Sequence, residues 1–337
     1  MMYLYKLLFF NTMIMGTLIS ISSYSWFSMW MGLEINLLSI IPLMSKNKNV
    51  YPAESAMKYF LTQTLASIIL LFSIILSLNL FDSINFNLNQ PLMILMNSTL
   101  LIKMGAAPFH FWFPEIMEGL NWMNCLIMLT WQKIAPMVIL MYNIKMTTFL
   151  SLIIISCSMI GSIMSLNQIS LRKMMTYSSI NHIGWMIASM MISQSLWITY
   201  FFIYSVISIN IILIFNNLNI FFMKQLFNAL NNNKMNKLLL IMNFLSLGGL
   251  PPFIGFFPKW ITINSLIYSN FIFLSFIMII FTLIMLYMYI RITFNSLMIN
   301  TKETLNNNNF SLNYLTINFN LISLMSLFMC PLIFNLI

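Results

Sequence analysis

The sequence predicts an all-α polytopic membrane protein with about eleven transmembrane helices, and three observations predict it. Of 337 residues, 6 % are charged and 60 % hydrophobic, whereas soluble domains carry about 25 % charge. A water-exposed surface cannot be built from that inventory, and a chain in which 15 % of residues are aromatic is not a disordered one. Apolar stretches of roughly 20 residues, long enough to cross a bilayer, follow one another with no interval that would hold a soluble domain. The basic residues between them crowd onto alternate loops.

The first stretch, about 4–22, has the basic residue and apolar run of a secretory signal. Further spans follow at once and no small-residue cleavage site stands out, so it reads as the first helix. The second, 26–45, carries Glu34 in WMGLEINLLSIIP, about eight residues or roughly 12 Å inside. After KNKN (46–49) comes the third, 55–80. The fourth, 92–112, follows the polar stretch 82–90, holds Lys103 and is interrupted at Gly105-Ala-Ala-Pro108. Proline removes a backbone donor and clashes with the preceding turn, so the helix breaks there. EIMEG (115–119), whose Glu115 and Glu118 read as a solvated helix start, leads to the fifth span, 121–143, with Lys133 in LTWQKIAP. The sixth is 148–166; after LRK (171–173) the seventh, 174–192, holds His182. The eighth is 195–222, and the Asn tract at 231–233 reads as a plain connecting loop. The ninth, 237–267, is interrupted at 248–252 by Gly-Gly-Leu-Pro-Pro, with Lys259 just beyond. The tenth is 271–296, and past a second Asn tract (306–309) the eleventh is 315–336.

Loop charges orient the chain. On the N-terminal side lie Lys6, Lys46, Lys48, Lys58, Arg172, Lys173, Lys224, Lys234, Lys237, Arg291 and Lys302, and on the other side only Lys145. The N-terminus therefore faces the positive compartment. The 33 Met and 30 Phe, with only two Arg and three Val, follow AT-rich codons in a mitochondrial code that reads AUA as Met. In a mitochondrion the positive side is the matrix, which leaves the C-terminus in the intermembrane space. The net charge of +9 is spread over loops without interleaved aromatics, so topology explains it and nucleic acid is not a partner. Cys125, Cys157 and Cys330 lie in or beside apolar runs and form no ligand cluster.

Four charges remain inside spans: Glu34, Lys103, Lys133 and Lys259. A charge at the bilayer centre costs at least ~2.5–3.5 kcal/mol, so such residues mark ion or proton routes. Irregular backbone at membrane depth is tolerated only where protein buries it or it lines a cavity. The two broken spans are the fourth members of consecutive blocks of five, and an odd block inverts the next, the layout of a transporter with inverted repeats. The blocks are 1–145 and 146–298, followed by a loop and final helix, 299–337. His110, beyond the first break, and His182 are possible relays because histidine titrates near neutrality. No GxGxxG, GxxxxGK[ST] or HExxH is present, nor a Cys or His set for a metal.

WMGLEINLLSIIP (30–42), KYFLTQTLAS (58–67), LLIKMGAAPFHFWFPEIMEGLNW (100–122), LTWQKIAP (129–136), LRKMMTYSSINHIGW (171–185) and NFLSLGGLPPFIGFFPKW (243–260) together resemble the chain 2 family of mitochondrial NADH:ubiquinone oxidoreductase, respiratory complex I. The resemblance implies an antiporter-like fold of two inverted five-helix repeats plus a C-terminal helix, in the mitochondrial inner membrane. It implies other membrane-arm subunits, including antiporter-like ones, as partners. No cofactor is implied for this chain; FMN, iron–sulfur clusters, NADH and ubiquinone belong to other subunits. By motif, Glu34 matches the family's glutamate, Lys103 and Lys259 the lysines of the two broken helices, and Lys133 the central lysine. Some antiporter-like members carry a glutamate where this chain has Lys259.

The expected activity is proton translocation along a Glu34–Lys103–Lys133–Lys259 relay joined by water, driven by electron transfer elsewhere. Burial disfavours the charged ammonium and a nearby carboxylate restores it, a difference of roughly 4–7 kcal/mol. Opening the Glu34–Lys103 pair would then turn Lys103 from proton holder to donor. Against it stand a standalone cation/proton antiporter of the same fold and a non-conducting structural membrane subunit.

Overall fold

In the computed structural model, residues 4–45, 50–81, 89–232, 234–251, 253–298 and 320 are described. Lys46, Lys48, Pro252, Lys302, Cys330 and, apart from Asn320, the whole expected eleventh span lie outside them. Among the described residues the chain is helical, and the extended pairing is one antiparallel bridge, Ser170 with Phe222. Two compact units divide it, Met1–Ile153 and Ile154–Ile337.

The first unit holds α1 (Leu4–Ser22), α2 (Trp26–Met44), α3 (Val50–Phe81), α4 (Asn89–Met104), α5 (Trp112–Gly119), α6 (Trp122–Leu129), α7 (Trp131–Met141) and the start of α8 (Thr147–Ser165). Ser25 caps α2 by accepting from the Ser28 N–H, which satisfies one of the free donors of the first turn. In lipid no hydrophobic force drives helices together, so close packing of small residues does it. A Cβ on Gly32 would lie 2.6 Å from Ser20 N, and one on Gly16 2.9 Å from Asn36 N, so α1 and α2 meet backbone to backbone. α7 packs on α4, α1 and α2, and α3 packs on α2, α4 and α5. This surrounds α7 and draws Lys133 into the interior.

The expected fifth span is divided at Thr130, which separates α6 from α7. Thr130 departs from helical geometry (φ −114°, ψ −71°) while its Oγ1 donates to Leu126 O at 2.8 Å. Pro136 further along α7 lacks the N–H that would bond Gln132 O. Two irregularities therefore bracket Lys133.

The rest of α8 and five further helices plus one short one form the second unit: α9 (Leu171–Met190), α10 (Gln194–Leu218), α11 (Met223–Asn232), α12 (Lys234–Gly248), α13 (Phe256–Tyr268) and α14 (Ile272–Met298). α9 is its axle: apart from Arg172 and Lys173 every residue is buried, including Thr176, Ser178, Ser179, Asn181 and His182. A Cβ on Gly161 would meet Asn181 N at 2.8 Å, so α8 lies directly on this polar helix. α10 ends at Leu218 because Asn219 turns left-handed at φ 51°. The expected loop after it holds α11, whose Leu226 and Leu230 are buried while Lys224, Gln225 and Asn228 face out. Two backbone hydrogen bonds, Leu171 N–H to Phe221 O at 2.9 Å and Met223 N–H to Ile169 O at 3.1 Å, tie its start to the entry of α9.

Seven segments among the described residues are long and apolar enough to cross a membrane: α1, α2, α3, α6 with α7, α8, α10 and α14. The chain is a multi-pass membrane protein. The fourth and ninth expected spans fall on helices shortened by their breaks, and the seventh on α9, whose polar residues lower its hydropathy.

Candidate functional site

Both broken helices stop in the same way. At the end of α4, Gly105 has φ +73°, its N–H bonds Ile102 O at 3.1 Å, and Ala106 N–H bonds Leu101 O at 3.0 Å. At the end of α12, Gly249 has φ +77°, its N–H bonds Ser246 O at 3.0 Å, and Leu250 N–H bonds Leu245 O at 3.4 Å. This pair of bonds is the Schellman stop, and the left-handed residue in it is one that glycine adopts without steric cost. The sequence repeats with the geometry. Gly-x-x-Pro-Phe-x-x-x-Phe-Pro occurs at 105–114 and again at 249–258, so the two breaks share a register.

In the first unit Lys103 sits in the last turn of α4, 7 % exposed. It faces a water-sized cavity of about 10 Å³ that Asn36, Tyr59, Gln63, Gln132 and Pro136 also line. That is the lower limit for one water, and the walls supply the two to four polar partners such a water needs. Gln132 Nε2 donates to Asn36 Oδ1 at 2.8 Å, and Tyr59 OH donates to Gln132 Oε1 at 3.4 Å. The half-buried Glu34 is within electrostatic reach of Lys103 and Tyr59, and among the described residues no ion-pair contact joins it to Lys103. Glu34 Oε1 and Gln63 Nε2 are buried with no hydrogen-bond partner among the described residues, a costly state for groups that a nearby water can satisfy.

Lys133 follows Gln132 on α7 and is 1 % exposed. Its Nζ stands 5.7 Å from the centre of the Phe113 ring, and Phe113 in turn packs against Gly105. The first break and the central lysine are thus in mechanical contact through one aromatic ring. Trp112 closes the other side of the break by donating Nε1–H to Ile102 O at 3.1 Å.

In the second unit Lys259, 8 % exposed, lies in the first turn of α13 and folds back onto the end of α12. Its Nζ donates to Leu247 O at 3.1 Å and Gly248 O at 3.0 Å, carbonyls the broken helix leaves free. His182, on buried α9, has Nδ1 3.0 Å from Tyr200 OH and its ring 5.1 Å from that of Tyr204. A second cavity of about 10 Å³ joins His182, Tyr200 and Tyr204 to Ser246, Leu247 and Pro258, so the histidine shares a space with the end of α12.

The remaining candidates are placed apart. His110 lies beyond the first break with Nδ1 3.2 Å from Pro108 O. Glu115 is in the first turn of α5 and pairs with Lys58 at 3.1 Å, a lysine that Glu54 also holds at 3.2 Å. Among the described residues no three His, Cys, Asp or Glu side chains gather as a metal ligand set. The neutral polar residues Asn36, Tyr59, Gln63, Gln132, Tyr200 and Tyr204 were not foreseen from sequence, because they carry no charge to draw notice in an apolar span.

The family "NADH:quinone oxidoreductase/Mrp antiporter, TM" matches residues 23–285. NADH-ubiquinone oxidoreductase chain 2 of Anopheles gambiae is 49 % identical over 333 residues, 97 % of each chain. Among solved structures, a chain of respiratory complex I from Thermus thermophilus covers 98 % of this chain and 79 % of its own at a TM-score of 0.88 and 20 % identity. A chain of the Mrp complex from a Dietzia species follows the same fold at a TM-score of 0.71 and 15 % identity, with 83 % of this chain and 58 % of that one covered. Buried lysines at two glycine-stopped helix breaks thus sit in a sequence aligned almost end to end with its relatives, and the chain belongs to the NADH:quinone oxidoreductase/Mrp antiporter transmembrane family and, within it, to the NADH-ubiquinone oxidoreductase chain 2 group.

Proposed function

We propose that this chain is a membrane-arm subunit of respiratory complex I and carries protons across the mitochondrial inner membrane, with Glu34, Lys103 and Lys133 as carriers in the first unit and Lys259 in the second. The observation that carries the reading is the burial of all three lysines, at 7 %, 1 % and 8 % exposure, beside interrupted backbone. Each charge so placed costs at least ~2.5–3.5 kcal/mol, a cost a merely structural spacer has no reason to retain three times.

The chain's own groups supply the proton steps. Lys103 holds a proton while the Glu34 carboxylate is near and releases it when that field is withdrawn. Gln132, anchored by Asn36 and Tyr59, orients a water in the cavity between Lys103 and the α7 backbone that leads to Lys133. His182 and Tyr200 offer a second exchange point beside the end of α12, and His110 a further one beyond the first break. Energy arrives from neighbouring subunits, where the electron carriers reside. The N-terminus and the lysine-rich loops face the matrix and the C-terminus the intermembrane space, and 1–145 and 146–298 are inverted repeats. The recurrence of one stop motif in one sequence register in each half supports that division.

The test is complex I carrying Glu34→Gln, which keeps the side chain's shape and removes its charge. Reconstituted in liposomes, it retains NADH oxidation but moves fewer protons per electron. A ratio equal to wild type removes Glu34 from the route.

A further inference from the structure

We infer that Gly249 is a positioning residue for Lys259: the missing side chain opens the cradle in which the ammonium reaches the free carbonyls of α12. This rests on the reading that Lys259 carries protons. A Cβ built on Gly249 would fall 2.9 Å from Lys259 Cδ and 3.0 Å from Nζ, whereas one on the adjacent Gly248 would meet nothing nearer than Tyr289 Cδ2 at 3.5 Å. The lysine lies across the face of Gly249 with both its aliphatic stem and its charge, and from there donates to Leu247 O and Gly248 O. Gly255 presses the start of α13 onto the same helix end, since a Cβ there would collide with Ser246 O. The three atoms nearest a Cβ on Gly249 all belong to the Lys259 side chain, so it is the lysine that must give way.

The first break shows that the stop motif alone does not create this cradle. Gly105 has the same left-handed backbone, but its face is covered by Phe113, 3.2 Å from the site of a Cβ. The position that matches Lys259 in the shared register is Glu115, which turns away to Lys58. Both glycines are needed for their φ and for space, but the space at 105 is taken by the Phe113 ring and that at 249 by Lys259 itself. With the C-terminal carbonyls of a helix favouring a cation, the cradle fixes the Lys259 ammonium in one place, and displacing it removes those two acceptors together.

Asparagine tolerates left-handed backbone better than other side chains, so Gly249→Asn adds the Cβ with little change in φ preference. In reconstituted complex I, Lys259→Gln lowers the number of protons moved per electron. Gly249→Asn lowers it to the same level, and the double variant falls no further, while NADH oxidation persists in all three. A glycine that served packing alone would lower electron transfer and pumping together and leave their ratio unchanged. A wild-type ratio in Gly249→Asn, or a double variant well below Lys259→Gln, overturns the inference. A wild-type ratio in Lys259→Gln overturns instead the relay reading on which it rests. Should Gly249→Asn fail to assemble, the companion is Gly249→Asn with Lys259→Ala: restored assembly upholds the close approach, and continued failure overturns it.

Discussion

Replacing Lys133 with methionine separates what the side chain does for function from what it does for the fold. Methionine keeps the length and flexibility of the stem and discards the ammonium. At 1 % exposure the charge costs at least ~2.5–3.5 kcal/mol in the membrane interior. Set against that is the contact with the Phe113 ring at 5.7 Å, a geometry worth about 0.5–2 kcal/mol. The charge cost exceeds this contact by roughly 0.5–3 kcal/mol, so the variant chain accumulates in assembled complex I at about the wild-type level. On the proposed relay its proton-to-electron ratio nonetheless falls, because methionine lacks the ammonium that would carry the proton. The assay is NADH-driven proton uptake in liposomes beside the abundance of the assembled complex. Abundance falling in step with pumping would make Lys133 a structural residue, and an unchanged ratio would take it off the route.

Gln132→Leu strips Asn36 Oδ1 of its donor and Tyr59 OH of its acceptor, about 1–3 kcal/mol for each buried group left unpaired. Assembly therefore drops modestly, and protons per electron drop further at intact NADH oxidation; an unaltered ratio means the cavity beside Lys103 is not on the path. Gly32→Leu drives a side chain into the backbone of α1, where even a Cβ would stand 2.6 Å from Ser20 N; overpacking of this kind costs typically ~1–3 kcal/mol or more, so the chain is lost from the assembled complex on native gels. The charge-derived orientation predicts that a cysteine replacing the exposed Tyr51 reacts with an impermeant maleimide only from the matrix side, and one replacing Lys145 only from the intermembrane space. Reversed labelling would invert the topology.

What the sequence reveals follows from what a bilayer forbids. Hydrocarbon tolerates few charges, so Glu34, Lys103, Lys133 and Lys259 stand out against their spans without any coordinates. Gly105 and Gly249 are legible for a similar reason, since a left-handed stop followed by proline has few other sequence solutions. The division at Thr130 was not legible. No glycine or proline marks it, and threonine bonding its own helix backbone looks like any other threonine until its dihedrals are known. Nor was α11, because Asn-rich ends resemble a loop and only the pair Leu226 and Leu230 betrays a buried face. The cavity beside Lys103 is built from residues far apart in the chain, Asn36, Tyr59, Gln63 and Gln132, which no local pattern joins.

One signal was present in the sequence and carries the most weight now. The motif shared by 105–114 and 249–258 places Glu115 and Lys259 at matching positions with opposite charge. Each follows a glycine stop of the same geometry, and the side chains at this register differ. A carboxylate at this register is repelled by the carbonyl end of the helix and is drawn to Lys58, whereas an ammonium there is attracted to that end and stays buried. Duplication of one stop thus yields one break that presents its lysine from within the helix, Lys103, and one that receives its lysine from the segment beyond, Lys259. On the proposed relay, the sign of the charge at this one position decides which lysine each break offers to a proton.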